Sequence, residues 1–185
     1  MATYWIGQEY LLSKSVIDSN VDYGKITPII ELVQFKYLKK TLGTDLYNAI
    51  DTALVDYIDN ATPIPDRFST ILNDYILPSL VYWILAESSD TFKWRYANKG
   101  VLEKSGTEAQ PASSLDLQRL VDKWLNNSQL YVNELQSYLR FYGGIHPEYT
   151  SISTGQFKVL PSTSAFDVPL YLGDTLPSRR NPNED

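Results

Sequence analysis

One stretch limits what this chain can become more than any other: residues 66–90. Its middle, Tyr75-Ile-Leu-Pro-Ser-Leu-Val-Tyr-Trp-Ile-Leu-Ala86, is almost wholly apolar. Such a run fits a buried strand or a buried helix. The flanks decide for helix. Phe68, Ile71, Leu72, Tyr75 and Ile76 recur at three- and four-residue spacing, while Asp66, Arg67, Thr70, Asn73 and Asp74 take the other side. A helix apolar around its whole circumference has protein on every side. The spacing therefore predicts the central helix of a bundle. A bend is expected at Pro78, which removes one backbone hydrogen bond and crowds the preceding turn. The run falls short of the about 20 apolar residues that span a membrane.

The remaining elements follow in chain order. Residues 1–21 read as extended, with Tyr4, Trp5 and Ile6, then Tyr10, Leu11 and Leu12, as apolar patches. Ser19, Asn20 and Asp22 offer caps for a first helix over residues 22–42. Its stripe is Ile26, Ile29, Ile30, Val33, Tyr37, Leu38 and Leu42. Gly43 is expected to close that helix in a left-handed conformation. Thr44 or Asp45 then caps a second helix to about residue 58, burying Leu46, Ile50, Ala53 or Leu54, and Tyr57. So short a connection predicts an antiparallel pair. Turn signals at Asn98-Lys-Gly100 and Ser105-Gly106 place a small hairpin or packed loop between residues 91 and 113. Ser113 or Ser114 caps the last helix, which runs to about residue 142. Its stripe is the cleanest in the chain: Leu117, Leu120, Val121, Trp124, Leu125, Tyr131, Val132, Leu135, Tyr138 and Leu139.

After Gly143-Gly144 the composition changes. Pro147, Pro161, Pro169, Pro177 and Pro182 recur among Ser and Thr, with isolated apolar residues from Phe157 to Leu172. Nothing there builds a core, yet aromatics are wasted in water, so an arm that docks on a partner is expected. The fold expected is all-α. It is an antiparallel bundle of about four main helices with an extended N-terminal segment (domain 1–144) and a long extended C-terminal arm (145–185).

The residues that carry chemistry are few. The chain has no cysteine, which excludes disulfides, thiolate metal sites and cysteine nucleophiles. No basic region followed by an apolar stretch opens the chain, so no secretory signal is expected. The net charge of −6 opposes non-specific adhesion to nucleic acid, which depends on Lys and Arg neutralising phosphates. The single histidine, His146, lies beside Pro147 with no nucleophile or carboxylate that the sequence brings to it, and is expected at the surface. Asp51, Asp56, Asp59 and Asp66 are acidic but match no metal loop. Glu87 and Asp90 could pair as the carboxylates of a hydrolase, though any acidic helix end has that look. Phe92, Lys93, Trp94, Arg95, Tyr96, Lys99 and Lys104 form a basic-aromatic patch of the kind that stacks single-stranded nucleic acid. A solvated loop anchored by its aromatics is the plainer reading. No catalytic, cofactor-binding or metal-binding residue is assigned, and an enzyme is not expected. A small hydrolase or a binding module are the alternatives.

The segment Ile30-Glu-Leu-Val-Gln-Phe-Lys-Tyr-Leu-Lys-Lys-Thr-Leu-Gly-Thr-Asp-Leu-Tyr47 carries Gln34 and Tyr37 on a helix, then Leu42-Gly43, then Leu46-Tyr47. With the apolar central helix, the Phe92 to Gly100 segment and the last helix followed by an arm, it resembles small helical proteins of tailed phages of Bacteroidetes and crAss-like phages. Those are related in fold to head–tail connector (adaptor) proteins. The resemblance covers residues 20–142, with its local signature at Leu42-Gly43. It implies a virion structural protein, made in the host cytoplasm: one subunit of a homo-oligomeric ring, often dodecameric, below the portal. The ring would extend the DNA channel and dock other tail or connector proteins. DNA would pass an acidic wall without specific binding. The arm would reach a neighbour or the portal, with Phe157, Phe166 and Tyr171 as anchors. No cofactor and no membrane is implied.

Overall fold

A computed structural model of the chain describes residues 3–17, 21–91, 94–97, 100–103, 113–150 and 158–161, with backbone alone at 90, 94–97 and 100–103. It is an all-α helical bundle, as the patterning predicts. Seven helices are described, α1 Gln8–Lys14, α2 Tyr23–Val33, α3 Lys39–Asn60, α4 Asp66–Ile71, α5 Leu77–Thr91, α6 Ser114–Phe141 and α7 Pro147–Thr150. One antiparallel hairpin, β1 Trp94–Ala97 and β2 Gly100–Glu103, links α5 to α6 with Trp94 opposite Glu103.

Residues 66–91 form the predicted rod, with a π-helical turn at Leu72–Ile76. In that turn the Leu77 N–H reaches back five residues to the Leu72 carbonyl. The wider turn lies immediately before Pro78, whose ring would crowd the carbonyl of an ordinary preceding turn. The expected disturbance at Pro78 is thus met by one inserted residue. Beyond it, Leu80, Val81, Trp83, Ile84, Leu85 and Ala86 are all buried. Each fully buried Leu or Ile contributes about 1.5–3 kcal/mol relative to exposure. α5 touches α1, α2 and α6, so it is the bundle's centre.

Residues 23–42 form a second rod with its own π turn at Gln34–Leu38, where the Lys39 N–H donates to the Gln34 carbonyl. The rod breaks at Gly43, whose φ is 77° and ψ 166°. The positive φ is as expected, but ψ is extended rather than left-handed helical. This corner of conformational space is open essentially to glycine alone. A left-handed cap would have turned the chain into a loop; the extended ψ lets a new helix start at the next residue. The break bends the chain sharply. Gln34 Nε2 and Tyr47 Oη come within 3.5 Å, where thirteen residues of straight helix would separate them by about 20 Å.

The two helices joined at Gly43 meet between the Gln34–Leu38 turn and α3, while α2 itself makes few close approaches to α3. Trp5 bridges that turn and α3. Its ring stacks on Tyr47 at 4.8 Å between centroids, its Nε1 donates to Asp51 Oδ1 at 2.9 Å, and its backbone N–H donates to Gln34 Oε1 at 3.2 Å. Aromatic residues supply large apolar area with one polar handle, which suits such a bridge. Tyr57, expected inside, is 53% exposed, in a last stretch of α3 (residues 56–60) that is exposed throughout.

Two further expectations change. The extended N-terminal segment contains α1, which starts after Gly7 without a side-chain cap and buries Leu11 completely. At the other end, packing does not stop at residue 144. His146 is 0% and Tyr149 7% exposed, and α7 lies against α3. Arg67 fixes this cap by bonding the Ile145 carbonyl (3.1 Å) and both oxygens of Glu148 (3.1 and 2.8 Å). The extended arm therefore begins later than residue 145. No helix among the described residues is long and apolar enough to cross a membrane.

Candidate functional site

Three local arrangements have the geometry of a site. The first is a groove of about 530 Å³ between the second rod, the end of α5 and the start of α6. Its walls are Lys36, Tyr37, Ala86 and Glu87 on one side and Ser114, Leu117, Gln118, Val121, Asp122 and Leu125 on the other. α6 begins at a Ser113 cap, whose Oγ accepts from the Asp116 N–H at 3.2 Å. That sets the phase of the stripe. Along its C-terminal half Val132, Leu135 and Leu139 are buried; along its N-terminal half Leu120 is 40% exposed, and Leu117, Val121, Trp124 and Leu125 are half-buried. The stripe that reads as continuous core in sequence is therefore only half covered.

Glu87 organises the opposite wall. It accepts from Lys36 Nζ at 2.6 Å and from Tyr37 Oη at 2.5 Å. Burial pushes its carboxyl up, but the bonds from Lys36 and Tyr37 outweigh that and hold it below the ordinary carboxylate range. The hydrogen bond to Glu87 raises Lys36, and burial followed by the same carboxylate raises the Tyr37 phenol. At neutral pH the three form an ammonium, a carboxylate and a donating phenol. They pin the second rod to α5 and leave the groove a polar rim over an apolar floor. Tyr37 also stacks on Trp83 at 5.2 Å.

The second arrangement is a latch at Gly43. The Thr44 N–H donates to the Val159 carbonyl and the Val159 N–H donates to Thr44 Oγ1, each at 2.9 Å. Lys158 Nζ lies 2.5 Å from Asp45 Oδ1. Pro161 packs directly over Gly43, so that a Cβ there would stand 2.7 Å from the proline Cδ. The break that glycine permits is thus also the seat of the post-bundle chain.

The third is the underside of α7. His146 stacks on Phe68 (6.2 Å) with the Tyr138 ring tilted beside it (6.0 Å), and neither ring nitrogen has a partner. The buried Tyr149 hydroxyl is likewise unpartnered. Burial, then the Arg67 guanidinium, pushes His146 below its ordinary value, while Glu148 opposes them. The expectation of a surface histidine is corrected: the Pro147 turn folds α7 inward and seals the ring against apolar neighbours.

The structure brings few of the candidate residues together. Asp51 is taken by Trp5, Asp56, Asp59 and Asp66 are exposed, and no group able to hold a metal occurs among the described residues. Glu87 is in the groove wall, while the Asp90 side chain lies outside the described residues. Of the basic-aromatic patch, Trp94, Arg95 and Tyr96 form β1, and Phe92, Lys93, Lys99 and Lys104 lie outside the described residues. The anchors Phe157, Phe166 and Tyr171 lie outside them as well. The groove and the latch were missed. The one available signal was the over-long stripe of α6, more apolar surface than a helix end needs.

These features define a helical-bundle protein with a half-open groove and a latched post-bundle chain. It belongs to a family of unknown function, DUF6712, whose profile matches residues 38–157. No curated protein and no solved structure matches it. The matched span starts at the last residue of the π turn Gln34–Leu38 and takes in Gly43, the central rod, the hairpin, α6 and α7.

Proposed function

We propose that this chain is a virion structural protein, one subunit of a head–tail connector ring below the portal of a tailed phage. The observation that carries the reading is the latch. Leu42-Gly43 is the local signature of the resemblance to connector proteins, and Gly43 is where the chain beyond the bundle is held. A bundle that seats its own post-bundle segment at a fixed point gives an arm a defined exit, from which Phe166 and Tyr171 reach a neighbouring subunit, the portal or a tail protein, with the third anchor, Phe157, immediately before the latched residues. Two more observations support it. The net charge of −6 suits a channel wall that DNA must pass without adhering. Phe35 and Phe141, 72% and 81% exposed, offer the isolated apolar contacts that subunit interfaces use. The groups around Glu87 are read as structural, and no catalytic role is assigned.

The test is quantitative mass spectrometry of purified particles of the phage whose genome encodes the chain. A copy number in fixed ratio to the portal, near one or a small multiple, is the expected result. Absence from complete particles would end the connector reading.

A further inference from the structure

The groove between Glu87 and α6 has an apolar floor with no described occupant on it, and the chain itself supplies a fitting segment. The last described residue, Pro161, is seated on Gly43. Gly43 is seven residues along the same rod from Lys36 in the groove wall, about 10 Å at the rise of a helix. Beyond Pro161 stand 24 residues outside the described part. They include Phe166-Asp-Val-Pro-Leu-Tyr-Leu172, the most apolar stretch of the C-terminal region. Five residues of extended chain reach up to about 17 Å, enough to bring Phe166 from the latch to the groove. Pro169 favours extended backbone in itself and in the residue before it, the conformation that lays alternate side chains into a trough. The floor offers Leu117, Val121 and Leu125, half-buried and on one stripe. The groove's volume is in the range that seats a few such side chains.

We propose that residues 166–172 dock in cis in this groove in the isolated subunit, with Phe166, Leu170 and Leu172, which share one face of an extended segment, covering the open half of the α6 stripe. The latch at Gly43 sets the register and the groove holds the far end. This holds whether or not the chain works in a connector ring, because it concerns where the tail rests on its own bundle.

The absence of cysteine allows a direct test on the full chain. Gln118→Cys on the groove wall is combined with Tyr171→Cys, and in a second protein Asp122→Cys with Leu170→Cys. Each is oxidised at micromolar concentration beside a control, Gln118→Cys with Asn183→Cys. Docking predicts monomers with an internal disulfide, forming at least about tenfold faster than in the control because the docked tail raises the local thiol concentration. Adding Val121→Glu to the floor, in a protein whose helical circular dichroism is unchanged, should return the rate to the control's. Both pairs closing no faster than the control would overturn the proposal. Disulfide-linked dimers in place of monomers would also overturn it, by assigning the groove to the tail of a second copy.

Discussion

Replacing Gly43 with alanine tests the latch and the bend together. The glycine holds φ 77° and ψ 166°, and an added Cβ would meet Pro161 Cδ at 2.7 Å, Cγ at 2.8 Å and the Pro161 nitrogen at 3.1 Å. Two costs follow. Forcing a side-chain-bearing residue into that conformation costs about 1–3 kcal/mol. If the proline retreats to relieve the clash, the two Thr44–Val159 hydrogen bonds weaken, at about 0.5–1.5 kcal/mol each. The sum is about 2–6 kcal/mol. For a chain of this length each kcal/mol moves the melting temperature by about 2–4 °C, so Gly43→Ala should melt roughly 10 °C lower. Urea unfolding measures the free energy, and a double-mutant cycle with Pro161→Gly separates the two costs. Pro161→Gly removes the ring that clashes, so it should cost less in the Gly43→Ala background than in the wild type, with a coupling of about 0.5–3 kcal/mol. Gly43→Ala within about 0.5 kcal/mol of wild type would refute the reasoning. Full additivity would refute the latch and leave only the strained backbone.

Further expectations concern the other sites. Trp5→Ala empties the site between the Gln34–Leu38 turn and α3 and removes the donor to Asp51; it should destabilise by about 3–5 kcal/mol in urea denaturation, and a cost below about 1 kcal/mol would mean the corner at Gly43 is held otherwise. Glu87→Gln should cost about 1 kcal/mol at pH 7, a figure reduced for the solvent that reaches the Lys36 pair. Because the folded carboxyl titrates below its ordinary range, its contribution is full above the unfolded value and fades as pH falls through the folded one. Wild type and Glu87→Gln should therefore converge in acid, and a constant gap from pH 7 to pH 3 contradicts the ion knot. His146 is held neutral in the fold by burial and Arg67, with Glu148 alone opposing and the Tyr138 ring alongside. The unfolded chain takes up a proton near pH 6.5, so the wild type should lose stability as pH falls below that value toward the folded one. His146→Phe should abolish that loss and cost no more than about 1 kcal/mol at pH 7, since it replaces a ring whose nitrogens have no partners. An unchanged pH profile would place the histidine in water.

What was legible in the sequence was whatever short-range periodicity controls. The Phe68 to Ala86 pattern gave the central rod, Ser113 marked the start of α6, and Gly43 marked a break. What was not legible depends on contacts distant in sequence. α1 carries no cap and forms because Leu11 finds α5. Whether His146 faces water or Phe68 is decided by Arg67, almost 80 residues away, clamping Ile145 and Glu148. The bend at Gly43 was visible, but its extended ψ was not, because that angle is set by the helix that follows and by Pro161 lying over it. The half-open stripe of α6 reads as ordinary core until the neighbouring helices are in place. A groove is a missing neighbour, and a one-dimensional pattern of apolar residues does not record one.

The connector reading is tested most directly by symmetric averaging of the neck in electron micrographs of intact particles. A ring of identical bundles just below the portal is expected, each with the bent rod at Gly43 and the long α6 resolved, enclosing a channel wide enough for duplex DNA. A neck whose density is filled by other chains, with this bundle nowhere in the particle, would contradict it.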